Sequence, residues 1–420
     1  LQQRRQSSLN PIRDRKFDCS PELDLLLVCA RWPQRQQEDR ELIRKLATRQ
    51  LDWQLFLRLV HHHRILPLVS HNLLASAITN PTPELEAVIG ELCRRATSSA
   101  REALGSLAEL RRVVQKLEAH GIHARVLKGL PLAQSVFGDL SLRSPGDIDL
   151  LIGEAAIVET DQVLRSYGYR SCFAVERLSP RRFSFYRSHW KDLLYYNPAT
   201  GFEVDLHWRC FRNTAMPGAR LGNTTGPEAV AFGRFKVETL PRMEGLLYLC
   251  IHGMLDGWLY LKTLVDVAAQ VRTMSEAELS SLAKLAAGYD MLPELTATLT
   301  LVRRYLAIDH WSERLLPSSD KTVQHILRYA DLVLVEGGFL AERDEIPIST
   351  TLAFELGLRR NFRYRFELLL RVLFRPRMWE TIPLPDWLFG IYPLLSPLEW
   401  AIHRLRRWWT KAASSGTVRI

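Results

Sequence analysis

Leu142-Arg143-Ser144-Pro145-Gly146-Asp147-Ile148-Asp149-Leu150-Leu151-Ile152 is the stretch on which the fold of this chain turns. Its second half alternates acid and aliphatic before running into an apolar end, which predicts a strand over 147–152. Period two puts Asp147 and Asp149 on one face, with Ile148 and Leu150 on the other. Two carboxylates a few Å apart repel unless a cation lies between them. Mg²⁺, with Mn²⁺ as a substitute, suits such a pair: it takes hard oxygen ligands and fills its remaining positions with water and substrate phosphates. An Asp-x-Asp pair also occurs at strand ends and turns without any metal, so the flanking sequence has to decide.

Upstream, Ile122–Leu127 reads as a short strand running into Lys128-Gly129, and Pro131–Phe137 as a short helix. Downstream, Glu154–Tyr167 reads as a helix closed by Gly168. Leu193–Tyr196 and Phe202–Trp208 then read as two strands joined by a turn over Asn197–Gly201. The second strand alternates again, so Glu203, Asp205 and His207 share a face. A third carboxylate beside the pair completes a two-metal site. One ion lowers the pKa of an attacking hydroxyl, and the other neutralises a triphosphate and its leaving pyrophosphate. The candidate catalytic residues are Asp147, Asp149 and Asp205. The candidate metal ligands are the same three plus Glu203. Asp205 can also take the acceptor's proton as a general base. His207 either orients the acceptor or a metal-bound water, or is a half-buried, hydrogen-bonded histidine.

Farther out the pattern turns helical. Leu51, Trp53, Leu55, Leu57 and Val60 recur in a region with few breakers, and Ser98–His120 reads as one long amphipathic helix stopped by Gly121. Past Pro241, Met243–Val271 reads as a helix or helix pair broken at Gly253 or Gly257. Ser275-x-x-Glu278 is a capping box, and further helices fit Leu292–Leu306, Lys321–Val335 and Arg359–Phe374. The fold class expected is α+β. A basic arm over 1–20 precedes a helical region over 21–120, a compact α/β core over 121–240, and a helical region over 241–420 with a basic, Trp-rich tail.

These motifs carry a resemblance. Gly146-Asp147-Ile148-Asp149 after Leu127-Lys128-Gly129, with Val204-Asp205-Leu206-His207-Trp208 later, resembles the polymerase-beta-like nucleotidyltransferase superfamily. It is more closely similar to the group called uncharacterised nucleotidyltransferases. His252-Gly253, Trp258, Leu261 and Asp266 resemble a helical motif of that group, and Leu384-Pro385, Tyr392, Leu395 and Pro397 resemble its C-terminal pattern. The resemblance implies a small polymerase-beta-like α/β core, Mg²⁺ and an NTP, and leaves the acceptor open. The wider superfamily carries Gly-Ser or Gly-Gly on the turn before the acids; here Lys128-Gly129 stands there, and seventeen residues, Leu130 to Gly146, intervene before Asp147. By analogy with toxin-type relatives that use a Lys-Gly turn, Gly129 allows close backbone approach to phosphate. Lys128 is then a point charge on the triphosphate. Arg143 and Ser144 are further phosphate candidates. The alternatives are an exposed strand end for Lys128 and a surface charge for Arg143.

The expected activity is transfer of NMP from an NTP to a small molecule, peptide or protein, with release of pyrophosphate. A peptide acceptor gains interest because members of the resembled family accompany peptide-modification genes. The alternatives are a non-catalytic nucleotide- or partner-binding module on the same fold, and a toxin-type enzyme that modifies tRNA. His252 and Asp266, about four helical turns apart, face one way and either approach the ligands or cap a buried polar network. His189 and Lys191 precede a strand within reach of the site. His61-His62-His63 lacks a nearby cysteine or spaced acid and reads as helix surface.

The formal net charge is +10, and residues 359–420 hold twelve Arg and Lys against four acids. Such a segment is a wrap over the core, a peripheral membrane contact, or, least favoured, a nucleic-acid surface. The first sixteen residues hold no apolar signal-type run, and no stretch is long and apolar enough for a transmembrane helix. Six scattered cysteines form no CxxC pair, so a cytoplasmic protein with reduced thiols is expected.

Overall fold

The computed structural model describes residues 20–35, 37–171, 175–222, 226–309, 311, 319–336 and 338–396. The expected arm, up to residue 19, and the tail from Pro397, with Trp400, Trp408 and Trp409, lie outside the described residues.

Five helices come first: α1 (Pro21–Cys29), α2 (Glu38–Ala47), α3 (Trp53–His62), α4 (Leu66–Ala75) and α5 (Pro83–Ala119). Their starts are written locally. Ser20, Asp52 and Thr82 each accept a backbone N–H of the following turn, and Pro21 and Pro83 stand where a missing N–H costs nothing. The Pro-Thr-Pro punctuation therefore opens α5 instead of separating it from the helix expected at Ser98. One rod of 37 residues results.

The sheet follows: β1 (Ala124–Val126), β2 (Ile148–Ile152), β3 (Arg170–Ser171), β4 (Asp192–Tyr196), β5 (Glu203–His207), β6 (Glu228–Phe232) and β7 (Phe235–Thr239). Between β1 and β2 lie the one-turn helix α6 (Leu130–Leu132) and a π-turn over Ala133–Phe137, stopped by Gly138 at φ 71°. Helix α7 (Ile157–Ser166) follows β2, and α8 (Pro180–His189) precedes β4. The order across the sheet is β3-β4-β5-β2-β1-β7-β6. At its centre β2 runs parallel to β5, while β1 is antiparallel to β2 and parallel to β7. The hairpin β6–β7 was not expected. Its signal was present in part, in the alternating Phe235–Thr239 run after the turn residues Gly233-Arg234, with Gly233 at φ 64°.

The C-terminal helices are α9 (Arg242–Leu255), α10 (Leu261–Val271), α11 (Glu276–Gly288), α12 (Leu292–Leu306), α13 (Lys321–Asp331), α14 (Ile348–Leu358), α15 (Phe362–Leu373) and α16 (Pro376–Thr381). Gly257 and Trp258, at φ 60° and 51°, part α9 from α10. The Ser275–Glu278 capping box forms as expected.

The chain is thus an α+β protein with a mixed sheet of seven strands among the described residues. Strand faces sort the core. Ile148, Leu150, Val204 and Leu206 join one apolar cluster with the second half of α5, α7 and the aromatic group Trp379, Phe389 and Tyr392. Leu151, on the opposite face, joins the larger cluster that unites α1–α4 with α9–α13. Residues 376–396 therefore cover the sheet layer. Arg182 of α8 holds Asp386 at 3.0 Å, and Tyr392 donates to the Ile382 carbonyl at 2.7 Å. The histidine run departs from expectation: His61 is exposed, but His63 is fully buried and accepts a hydrogen bond from the Leu261 amide at 3.3 Å. The end of α3 is pinned against the start of α10, which turns His63 inward. No helix among the described residues is long and apolar enough to cross a membrane. Cys29, Cys93, Cys210 and Cys250 are unpaired, and burial pushes the Cys210 and Cys250 thiols up to about 12.

Candidate functional site

The register of the two central strands makes the site. Asp149 of β2 stands directly beside Asp205 of β5, and Leu151 beside His207. The strands are parallel and neighbouring, so the Asp149, Asp205 and His207 side chains all leave one face. A carboxylate oxygen of each acid and a ring nitrogen of His207 all lie within 4.8 Å of one another. Asp149 is fully buried, while Asp205 keeps about a fifth of its side chain in solvent. Asp147, one residue ahead of β2, is 38 % exposed at the mouth.

Lys128 reaches in from the end of β1. Its ammonium is 2.9 Å from Asp149 Oδ2 and 3.7 Å from Asp147 Oδ1. Burial penalises both charged groups, but their mutual attraction outweighs it. The Lys128 pKa is held above its ordinary value by Asp149 and Asp147. Lys128 and His207 hold the Asp149 carboxyl far below the usual carboxylate range. The pair is therefore ionised, with the Lys128 ammonium set among the carboxylates.

His207 has its own constraint. Its Nε2 faces Asp205 Oδ2 at 3.1 Å and Asp149 Oδ1 at 3.4 Å, and its Nδ1 lies 3.0 Å from Lys191 Nζ. An ammonium only donates, so Nδ1 accepts and Nε2 carries the proton toward the acids. Burial and Lys191 push the imidazole's pKa down, and the Asp149 and Asp205 carboxylates facing its Nε2 more than restore it. In this arrangement His207 aligns the carboxylates and has no lone pair left at Nε2 for an ion.

Lys128, Gly129, Arg143, Ser144, Gly146 and Asp147 line one recess at this end of the sheet. Gly129 sits at φ 79° and ψ −120°, where a side chain is strained, although a Cβ there would meet nothing nearer than the Asp147 carbonyl at 4.0 Å. Backbone conformation therefore demands this glycine. Arg143 is buried, and its Nε and one Nη bind Asp266 of α10 at 2.9–3.2 Å. Asp266 thus braces the turn that carries the acidic pair. Glu203 shares the face of Asp205 but is exposed at the start of β5, beside Tyr196 and level with Asp147, and does not join the group formed by Asp149, Asp205 and His207. His189 stacks on Phe185 and bonds the Phe185 carbonyl, away from the acids. His252 of α9 is half-buried near the cluster; burial and the Lys128 charge push it down to about 4. Lys262 of α10 was not singled out in the sequence; its Nζ donates to the Ser144 carbonyl at 2.7 Å. Nothing local marks a lysine on an amphipathic helix, so only the docking of α10 reveals it.

A family model described as "uncharacterised nucleotidyltransferase" matches residues 49–307. The chain belongs to that family. The match spans all of the strands and reaches α12, so it takes in both the acidic strands and the Asp266 brace. No curated protein matches the chain, and no solved structure does. The donor set fits a divalent ion. Asp149 Oδ2 is buried without a well-directed hydrogen bond, although the Lys128 ammonium stands beside it, and the cluster is rich in carboxylate oxygen.

Proposed function

We propose that this family member transfers a nucleoside monophosphate from an NTP to an acceptor and releases pyrophosphate, with Mg²⁺ held by Asp147, Asp149 and Asp205. One observation carries the reading. Asp149 and Asp205 stand in register on parallel neighbouring strands, with Asp147 at the mouth and Lys128 set among them. The polymerase-beta-like reading of the core rests on the same arrangement. A bound Mg²⁺ supplies charge neutralisation of the phosphates and a lowered pKa for the attacking group.

The chain's own residues do the rest. Asp205, the acid of the registered pair with solvent access, is placed to take the acceptor's proton. His207 holds Asp205 and Asp149 in orientation through its Nε2 proton. Lys128 can leave the carboxylates for the triphosphate once another cation balances them, while Gly129 and Ser144 offer backbone and hydroxyl donors in the same recess. Arg143 keeps one terminal nitrogen without a partner among the described residues, and that nitrogen remains a phosphate donor. Glu203, exposed at the start of β5 and level with Asp147, is the reserve ligand for an ion nearer the acceptor. The acceptor is a small molecule, a peptide or a protein.

The test is incubation of the protein with each radiolabelled NTP and Mg²⁺ in a cell extract, beside Asp149→Ala. Label should reach an acceptor only with the wild type. Equal labelling by both proteins sinks the proposal.

A further inference from the structure

Three cations surround the turn from Arg143 to Asp147, and they are not alike. Lys128 is neutralised by Asp149 and Asp147, and Arg143 by Asp266. Lys262 is not neutralised. The Ser144 carbonyl, at 2.7 Å, is its hydrogen-bond partner, and no carboxylate among the described residues lies within 4.0 Å of Nζ. The side chain is half-buried, enclosed by neighbours yet reached by solvent. Burial, then Arg143 and Lys128, disfavour its charge; the more distant Asp266 opposes them without prevailing, and its pKa falls well below the ordinary lysine value. An amine sheltered in this way, with no carboxylate within ion-pair distance, gains its charge most readily when an anionic ligand sits beside it. The space beside it is open, because Gly146 presents no side chain: a Cβ there would stand 3.9 Å from Nζ.

We propose that Lys262 binds the terminal phosphates of the NTP from beside the Ser144–Gly146 edge of the recess, so that nucleotide binding ties α10 to the turn that carries the acidic pair. The assignment rests on the nucleotidyl-transfer reading for the identity of its ligand. It rests on the missing counter-ion for its chemistry, a phosphate-rich anion. A single lysine reaching from a separate helix contributes little to a nucleoside and much to a polyphosphate chain.

The experiment measures binding of inorganic tripolyphosphate, ATP and adenosine with Mg²⁺ by calorimetry, for wild type, Lys262→Met and Lys262→Arg. Lys262→Met should weaken tripolyphosphate and ATP by about tenfold or more and leave adenosine unchanged, while Lys262→Arg keeps most of the affinity. Equal tripolyphosphate affinity in wild type and Lys262→Met overturns the inference, as does a wild type that binds no tripolyphosphate. The ligand-free melting midpoint separates a merely structural tie. Lys262→Met should melt at or above the wild type, because it removes an unneutralised charge. A lower midpoint with unchanged tripolyphosphate affinity assigns Lys262 to the Ser144 contact alone and overturns the proposal. Its failure is distinguishable from failure of the transfer reading. Tripolyphosphate binding sensitive to Lys262→Met, without labelled transfer from any NTP, supports the anion site and removes the enzymatic reading.

Discussion

Removing the Lys128 charge should tighten divalent-ion binding even as it weakens nucleotide binding. The ammonium stands 2.9 Å from Asp149 and 3.7 Å from Asp147, inside the space an ion must share with these carboxylates. At an effective dielectric of about 20, charges of +1 and +2 roughly 4 Å apart repel by ~8 kcal/mol. The lysine relieves most of this by swinging toward solvent or phosphate. If a fifth remains, ~1.5 kcal/mol, Lys128→Met gains about tenfold in affinity for the ion. Methionine keeps the stem's bulk and removes only the charge. Calorimetric titration of Mn²⁺ without nucleotide reads the effect, with Asp149→Asn as the control that loses binding. ATP affinity should move the opposite way in Lys128→Met. Mn²⁺ binding no tighter in Lys128→Met than in wild type would refute a shared site for the lysine and the ion.

Three further outcomes are expected. Asp205→Asn should cut labelled transfer about a hundredfold or more with little change in melting temperature, since the side chain is partly solvated and the substitution keeps its volume. Arg143→Met and Asp266→Leu should each destabilise by ~3–5 kcal/mol, whereas the double variant recovers most of that loss, because each single change strands a buried charge. A fully additive double variant in chemical denaturation would contradict it. His63 sets a pH dependence. Burial, with His62 beside it, pushes it down to about 3, so the unfolded chain binds more protons between that value and about 6.5. Its contribution is complete above about 6.5 and is lost as pH falls toward 3, by up to ~5 kcal/mol. His63→Leu should flatten the acid limb of a stability–pH profile, and an unchanged limb rules the histidine out as its source.

Much of the frame was legible because it is local. The alternation of Asp147-Ile148-Asp149 and of Glu203-Val204-Asp205-Leu206-His207 fixes which side chains share a face, and a strand's period does not depend on its neighbours. Capping is equally local, and Ser275-x-x-Glu278 forms its box as read. The β6–β7 hairpin was missed although its alternating Phe235–Thr239 run and Gly-Arg turn were visible, because strand signals a few residues long weaken beside long helical stretches.

Two-strand geometry was beyond the sequence. That Asp149 meets Asp205 residue for residue depends on β2 and β5 pairing in parallel, across two intervening helices, α7 and α8, and two strands, β3 and β4. The same alternation placed Glu203 with Asp205, and only the register shows that it ends at the exposed edge of the site. The roles of Arg143 and Lys262 were hidden for the same reason. Their partners, Asp266 and Ser144, lie more than a hundred residues away along the chain. By itself the sequence determined the α+β class, the strands that carry the acids, and the side chains that share a face, since backbone periodicity and capping act within one element. Only the tertiary structure decided which cations are neutralised and which await a ligand, because that balance is set by groups brought together from distant parts of the chain.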